Sequence, residues 1–182
     1  MNTMFGTDPS GGIDFDINKE NIEICITGVS GFIGSHICVQ LLKNGYKVRG
    51  TVRDPTDIDN YKFLLSNVED YQDKLKIFKA DLNNEEDWVK ATKGCTHCIH
   101  VASPVPSRKA KKEEVHSPIV EGTKYVLQAC IKNKVKRFIH TSAIEAVYGP
   151  DMGASLFKEE NWGSPSGKDA YAASKIEAEL AV

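Results

Sequence analysis

No stretch of this chain strings together the roughly 18 apolar residues that a membrane-spanning helix needs. Nor does one sign of charge dominate: 23 lysines and arginines face 25 aspartates and glutamates, for a net charge of −2 at pH 7. That balance removes any bulk electrostatic case for nucleic acid or an anionic membrane as partner. The opening residues, MNTMFGTDPSGGIDFDINKE, have neither the basic start nor the apolar centre of a secretory signal. Residues 1–20 read instead as a mobile lead-in holding at most a short turn.

Cysteine is scarce and unpatterned: Cys25, Cys38, Cys95, Cys98 and Cys130. An odd number at irregular spacing, with no secretory signal, implies reduced thiols in a cytoplasmic protein. Cys95-Thr96-His97-Cys98 is a lone C-x-x-C. No second ligand pair accompanies it, so it reads as a loop cysteine followed by one entering a buried strand, and no metal is expected. His36, His97, His100 and His140 suggest no site and read as structural side chains. There is no internal repeat and no low-complexity tract. The charged run at 109–114 reads as a solvated loop leading into a helix.

What the sequence does hold is alternation. Its 182 residues suit one domain with a substantial core, placed at 21–182. Strand patterns are expected at 22–27, 46–52, 75–80, 98–102 and 137–141. Helices are expected at 32–44, 57–69, 118–133 and 169–182, with Asn84 capping a short one through Thr92. Strands alternating with helices predict an α/β, Rossmann-like, doubly wound parallel sheet covered on both faces. The expected strand order is 3-2-1-4-5.

Between the first strand and the first helix stands TGVSGFIGSH, with Gly28, Gly31 and Gly34 three apart. In that context Gly28 permits a tight turn, Gly31 a close approach to a pyrophosphate, and Gly34 the packing of helix on strand. The helix N-terminus then faces the anion. Dinucleotide binding follows. The second strand ends at Val52 and is followed by Arg53, where an acid would bind the ribose hydroxyls of NAD. A guanidinium there suits the 2′-phosphate of NADP, although Asp54 stands next to it.

Tyr171-Ala172-Ala173-Ser174-Lys175 places a tyrosine and a lysine at i and i+4, on one helix face. A phenol titrates near 10. An ammonium and an oxidised nicotinamide beside Tyr171 would favour its phenolate and so fit it for proton transfer near neutrality.

The G-x-x-G-x-x-G spacing, Thr27 before it and Phe32-Ile33-Gly34-Ser35 after it resemble the extended short-chain dehydrogenase/reductases. Val101-Ala102-Ser103-Pro104, the stretch from Arg137 to Tyr148 and Glu159-Glu160-Asn161-Trp162 resemble the dihydroflavonol reductase and cinnamoyl-CoA reductase branch. The resemblance implies NADPH-dependent reduction of a small-molecule carbonyl, with Tyr171 as proton donor and Lys175 as pKa tuner and ribose binder. It implies cofactor contacts at Gly28, Ser30, Gly31, Phe32, Ile33, Gly34, Arg53, Asp81, Leu82, Val101, Ala102, Ser103 and Lys175. That branch reads T-S-S after its fifth strand and uses the second serine. Here the second serine position is Ala143, and Ser142 matches the first. Ser142 is the candidate if the chain bends after the strand.

Members of that branch continue beyond the equivalent of Val182 into a substrate lobe. The resemblance therefore implies a truncated form or a fragment, acting as a monomer or homodimer. Two other readings stay open. One is an NAD-dependent sugar-nucleotide epimerase or dehydratase, to which Val147-Tyr148-Gly149 would suit. The other is a non-catalytic NADP-binding regulator, consistent with Ala143.

Overall fold

The sequence Glu23–Thr27 becomes the central strand, β1, because it is apolar on both sides: Ile24 and Ile26 point to one face and Cys25 to the other. The computed structural model describes residues 6–7, 13–14, 19–104, 112–148, 157–158, 160–166 and 168–182. Around β1 lie β2 (Lys47–Val52), β3 (Leu75–Lys79), β4 (His97–His100) and β5 (Arg137–His140). All pair in parallel, in the order β3-β2-β1-β4-β5. This is the predicted doubly wound arrangement. In the lead-in, Gly6–Thr7 and Ile13–Asp14 pair as a separate antiparallel ribbon, and Lys19–Asn21 makes a 3₁₀ turn.

Each face of the sheet has its own core. Ile24, Ile26, Val48 and Val52 meet Cys38 and Leu42 of α1 (Phe32–Lys43) and Leu64 of α2 (Lys62–Ser66). On the opposite face Cys25 and Cys98 meet Trp88 and Ala91 of α3 (Glu85–Thr92) and Val126, Ala129 and Cys130 of α4 (residues 112–132). Fully burying a side chain such as Ile26 contributes about 1.5–3 kcal/mol. Asn84 caps α3 as predicted, its side chain accepting from Glu86 N–H, with three acids in the first turn.

Two elements differ from expectation. The pattern at 57–69 breaks into a 3₁₀ turn (Ile58–Tyr61), the short α2, and a further 3₁₀ stretch (Glu69–Lys74). Ser66 Oγ and Asn67 Nδ2 both donate to the Phe63 carbonyl, competing with the helix ladder. Tyr61, Leu64 and Val68 still reach the core. The helix expected from Pro118 begins earlier: Lys112–His116, a π-helical turn at Ser117–Glu121 and Gly122–Lys132 run on from one another as α4. Proline cannot donate an N–H inside a helix. The ladder skips, and Gly122 N–H bonds back to Ser117 O.

α5 (Ala170–Leu180) is capped by Asp169, whose carboxylate accepts from Ala172 N–H, and packs on α4 through Tyr171, Ala178, Val115 and Ile119. Strand β4 begins one residue before, and ends two residues before, its expected limits. Residues 109–111 of the charged run, Gly149 and Glu159 lie outside the described residues.

Candidate cofactor and proton-transfer site

The C-terminal ends of β1, β2, β4 and β5 open into a cleft of about 770 Å³. Its floor starts with Gly28, at φ +73, which leaves β1 in a conformation that a side chain disfavours. A Cβ on Gly34 would stand 2.3 Å from the Gly28 carbonyl, so α1 can lie this close to the turn only with glycine there. Gly31 is the N-cap of α1 and makes no side-chain cap, and the first turn carries no acid. The positive end of this helix is thus directed into the cleft beside Ser30, Phe32 and Ile33, an arrangement that fits a pyrophosphate.

Thr27 welds this loop to the next one. Its hydroxyl accepts from Val101 N–H (2.9 Å) and Ala102 N–H (2.8 Å) and contacts His100 Nδ1 (2.8 Å). The other side is held by Thr51, whose hydroxyl accepts from Gly28 N–H and whose carbonyl accepts from Val29 N–H. Val101, Ala102 and Ser103 consequently line the cleft opposite the glycines. Asp81 and Leu82 line it from the end of β3. Asp81 does not cap α3. Its carboxylate instead accepts from the backbone and side-chain amides of Asn83, fixing the loop.

Arg53 stands at the outer end, exposed, and also lines a smaller adjoining hollow of about 240 Å³ with Ser30, Asp54, Asn60 and Tyr61. Asp54 is occupied: its carboxylate accepts from Thr56 N–H and Oγ1, bonds that hold it below the usual carboxylate range. Arg53 makes no ion pair among the described residues. A cationic fork with its neighbouring acid turned away fits a phosphate better than a bare diol.

At the inner end, α5 brings Tyr171 and Lys175 to the cleft, one turn apart. Lys175 is 4% exposed and donates to the Thr141 carbonyl at 2.9 Å. Burial lowers its pKa, an effect that the carboxylates of Glu179 and Glu145 oppose. The depression expected of Tyr171 needs an oxidised nicotinamide as well as the Lys175 ammonium; among the chain's own groups, burial, followed by the Glu145 carboxylate, raises the Tyr171 pKa. The chain's own groups therefore keep it a phenol, the form that donates a proton.

Ser142 also lines the cleft, whereas Ala143 does not. Strand β5 ends at His140, so face alternation no longer governs Ser142, and among the described residues its hydroxyl makes only a 3.4 Å contact with Ala143 O. Sequence reasoning missed Glu114 and Pro118, which line the cleft from α4. Their i, i+4 spacing was a usable sign of a shared helix face. It also missed the Thr141 carbonyl as the anchor of Lys175, a backbone role that no side-chain pattern announces.

The chain is 38% identical over 170 residues to vestitone reductase of Medicago sativa, covering 87% of this chain and 52% of that one. It is 37% identical over 141 residues to dihydroflavonol 4-reductase of Gerbera hybrida, covering 76% and 38%. Among solved structures, alfalfa vestitone reductase superposes with a TM-score of 0.73 at 37% identity over 87% of this chain and 50% of that one. A yeast methylglyoxal/isovaleraldehyde reductase complexed with NADPH gives 0.75 at 27% identity, over 88% and 51%. The chain spans about half the length of these proteins or less. The sequence pattern of one family runs from residue 25 to residue 182, taking in the glycine loop and the Tyr171–Lys175 pair alike, and by that match the chain belongs to the 3-beta hydroxysteroid dehydrogenase/isomerase family.

Proposed function

We propose that the chain is the cofactor-binding and proton-donating part of an NADPH-dependent carbonyl reductase. The observation that carries this reading is the single cleft, with a glycine-lined helix N-terminus and exposed Arg53 at one end and the Tyr171–Lys175 pair at the other. The bound cofactor supplies hydride. The chain's own residues do the rest. The amides at the start of α1 bind the pyrophosphate, and Arg53 pairs with the adenosine 2′-phosphate. Asp81 and Leu82 border the adenine, and Val101, Ala102 and Ser103 close the cleft over the dinucleotide. Lys175, fixed by Thr141 O, holds the nicotinamide ribose. Tyr171 gives its phenolic proton to the carbonyl oxygen, and Ser142 donates a hydrogen bond to the same oxygen.

Flavonoid-like ketones and aldehydes are the substrate class. The activities of vestitone reductase, dihydroflavonol 4-reductase and methylglyoxal/isovaleraldehyde reductase support that choice.

The test is a fluorescence titration of the 182-residue chain with NADPH and NADH, followed by NADPH oxidation with a dihydroflavonol and with methylglyoxal. NADPH should bind at least tenfold more tightly, about 1.4 kcal/mol, with the preference lost in Arg53→Ala. Turnover should vanish in Tyr171→Phe with binding unchanged. Equal or NADH-favoured binding would overturn the cofactor assignment in favour of an epimerase-type site. Tight NADPH binding without turnover would leave a regulator.

A further inference from the structure

The hollow beside Arg53 also holds a charge of the opposite sign. Its lining brings together one cation, Arg53, and two acids, Asp54 and Asp57, with Ser30, Asn60 and Tyr61. The two acids are not equivalent. Asp54 is committed to Thr56, whose backbone N–H and hydroxyl both donate to its Oδ1, at 2.9 and 2.7 Å. Asp57 precedes the 3₁₀ turn Ile58–Tyr61, a position where aspartate commonly caps, yet its side chain makes no cap bond. Its carboxylate accepts from a neutral donor, Asn60 Nδ2, at 3.2 Å. Among the described residues Asp57 forms no ion pair, with Arg53 or with any other cation. The nearby Lys62 is turned to Asp59 instead, at 3.3 Å. Arg53 and Asp57 thus share one hollow as opposed charges that do not touch.

The loop keeps Asp57 there. Tyr61 is 7% exposed and belongs to the core under α1, while its hydroxyl donates to the Pro55 carbonyl at 2.7 Å. Asp57 N–H bonds back to Asp54 O (3.3 Å), and Asn60 N–H bonds back to Asp57 O (3.2 Å). The segment from Asp54 to Tyr61 is braced by its own backbone and anchored in the core, so an anion entering the hollow meets the carboxylate.

We propose that Asp57 is a specificity-determining residue: its carboxylate holds the preference for NADPH over NADH below the level that Arg53 alone would set. The inference rests on the cofactor reading above and gives the same hollow a second, opposing control. A 2′-phosphate carries close to two negative charges at neutral pH. Bound at Arg53, it shares the hollow with Asp57 and is repelled by it. NADH has a hydroxyl in that place, which a carboxylate does not repel. The Asp57 charge therefore weakens one cofactor and spares the other. Both Arg53 and Asp57 are exposed, so water and salt screen the repulsion, and its size is a few-fold in affinity.

Asp57→Asn removes the charge while keeping the shape and the oxygen that accepts from Asn60. Wild type and variant are titrated by fluorescence with NADPH and with NADH, in about 0.02 M and about 0.5 M salt, between which the screening length falls from roughly 20 Å to roughly 4 Å. At low salt the variant should bind NADPH about fivefold more tightly than wild type, with NADH within about twofold. At high salt the NADPH gain should shrink below about twofold. Unchanged NADPH affinity at low salt, an equal gain for NADH, or a gain that survives high salt would each overturn the inference. Arg53→Ala in the same titrations separates this inference from the cofactor reading beneath it. If that reading is wrong, Arg53→Ala leaves NADPH affinity unaltered. If the inference alone is wrong, Arg53→Ala still loses NADPH affinity while Asp57→Asn gains none. Binding of neither cofactor to any of the three chains would overturn both.

Discussion

Lys175 reaches from α5 to the end of β5 and donates its ammonium to the Thr141 carbonyl at 2.9 Å. The bond joins the helix carrying Tyr171 to the strand end carrying Ser142, so it sets the spacing of the inner site. Lys175→Met removes it and leaves a carbonyl unpaired. Stability should fall by about 1–3 kcal/mol in urea titrations. NADPH affinity, measured by fluorescence on the folded variant, should fall at least tenfold. An unchanged affinity would mean that Lys175 is structural only.

The glycine turn makes a graded prediction. Gly34→Ala forces a Cβ to within 2.3 Å of the Gly28 carbonyl, a backbone atom that cannot swing aside. Overpacking of this kind costs about 1–3 kcal/mol, and here it pushes α1 off the turn, so NADPH binding should be lost. Gly31→Ala meets the same carbonyl at 3.3 Å and should be milder in both readouts. Urea midpoints and NADPH titrations of the two variants give the comparison.

His100 and His140 predict an acid-sensitive fold. Burial holds His100 at about 3, and burial with the Lys175 charge holds His140 at about 4, against 6.5 for a free imidazole. Below pH 6.5 the unfolded chain takes up protons that the native chain refuses. Stability from these groups is therefore complete above pH 6.5 and falls with acid, by up to about 1.4 kcal/mol per pH unit for His100 and less for the part-exposed His140. Among the described residues, both ring nitrogens of His140 are buried without a hydrogen-bond partner. His140→Phe should raise stability at pH 7 by about 1–2 kcal/mol and flatten the acid slope between pH 6.5 and 4. A steeper slope in that variant would contradict the assignment.

Arg49 is a hub of the fold. It donates to Glu23 Oε1 through Nε (3.1 Å) and the second guanidinium nitrogen (2.6 Å), and to the carbonyls of Ala91 (3.0 Å) and Lys93 (2.7 Å). Its plane lies 4.4 Å from the Phe78 ring centre. It thus ties two strands to the C-terminal end of α3. Arg49→Met should cost about 3 kcal/mol, and Arg49→Lys should recover little, because an ammonium cannot reproduce the fork. Full recovery by lysine in a urea titration would show that charge alone matters.

Much of this was legible in the linear sequence, for a local reason. Strand-Gly28-x-x-Gly31-x-x-Gly34-helix and Tyr171-x-x-x-Lys175 are short-range patterns, and alternating periodicities order the sheet. What stayed hidden depends on pairs far apart in the chain or on backbone atoms. Nothing near Cys25 announces Arg49 and Cys98 as its neighbours, since register is settled only when the strands meet. The start of α4 was concealed by Pro118, which suits a first turn and so reads as the beginning of a helix, whereas the π-turn absorbs it inside a longer one. The region 57–69 had the right apolar spacing, but Ser66 and Asn67 turned its backbone carbonyls to their own use.

The central position of β1 has a further consequence during synthesis. It is the first strand of the sheet to be made, and β2 can cover one edge soon afterwards. Its other edge waits for β4, and Thr27 meets His100 only 73 residues later. At ordinary translation speeds that is roughly 4–15 seconds. Throughout that interval an apolar strand, Ile24-Cys25-Ile26, stands beside the ribosome with one row of amides and carbonyls unpaired, an open template for other nascent chains.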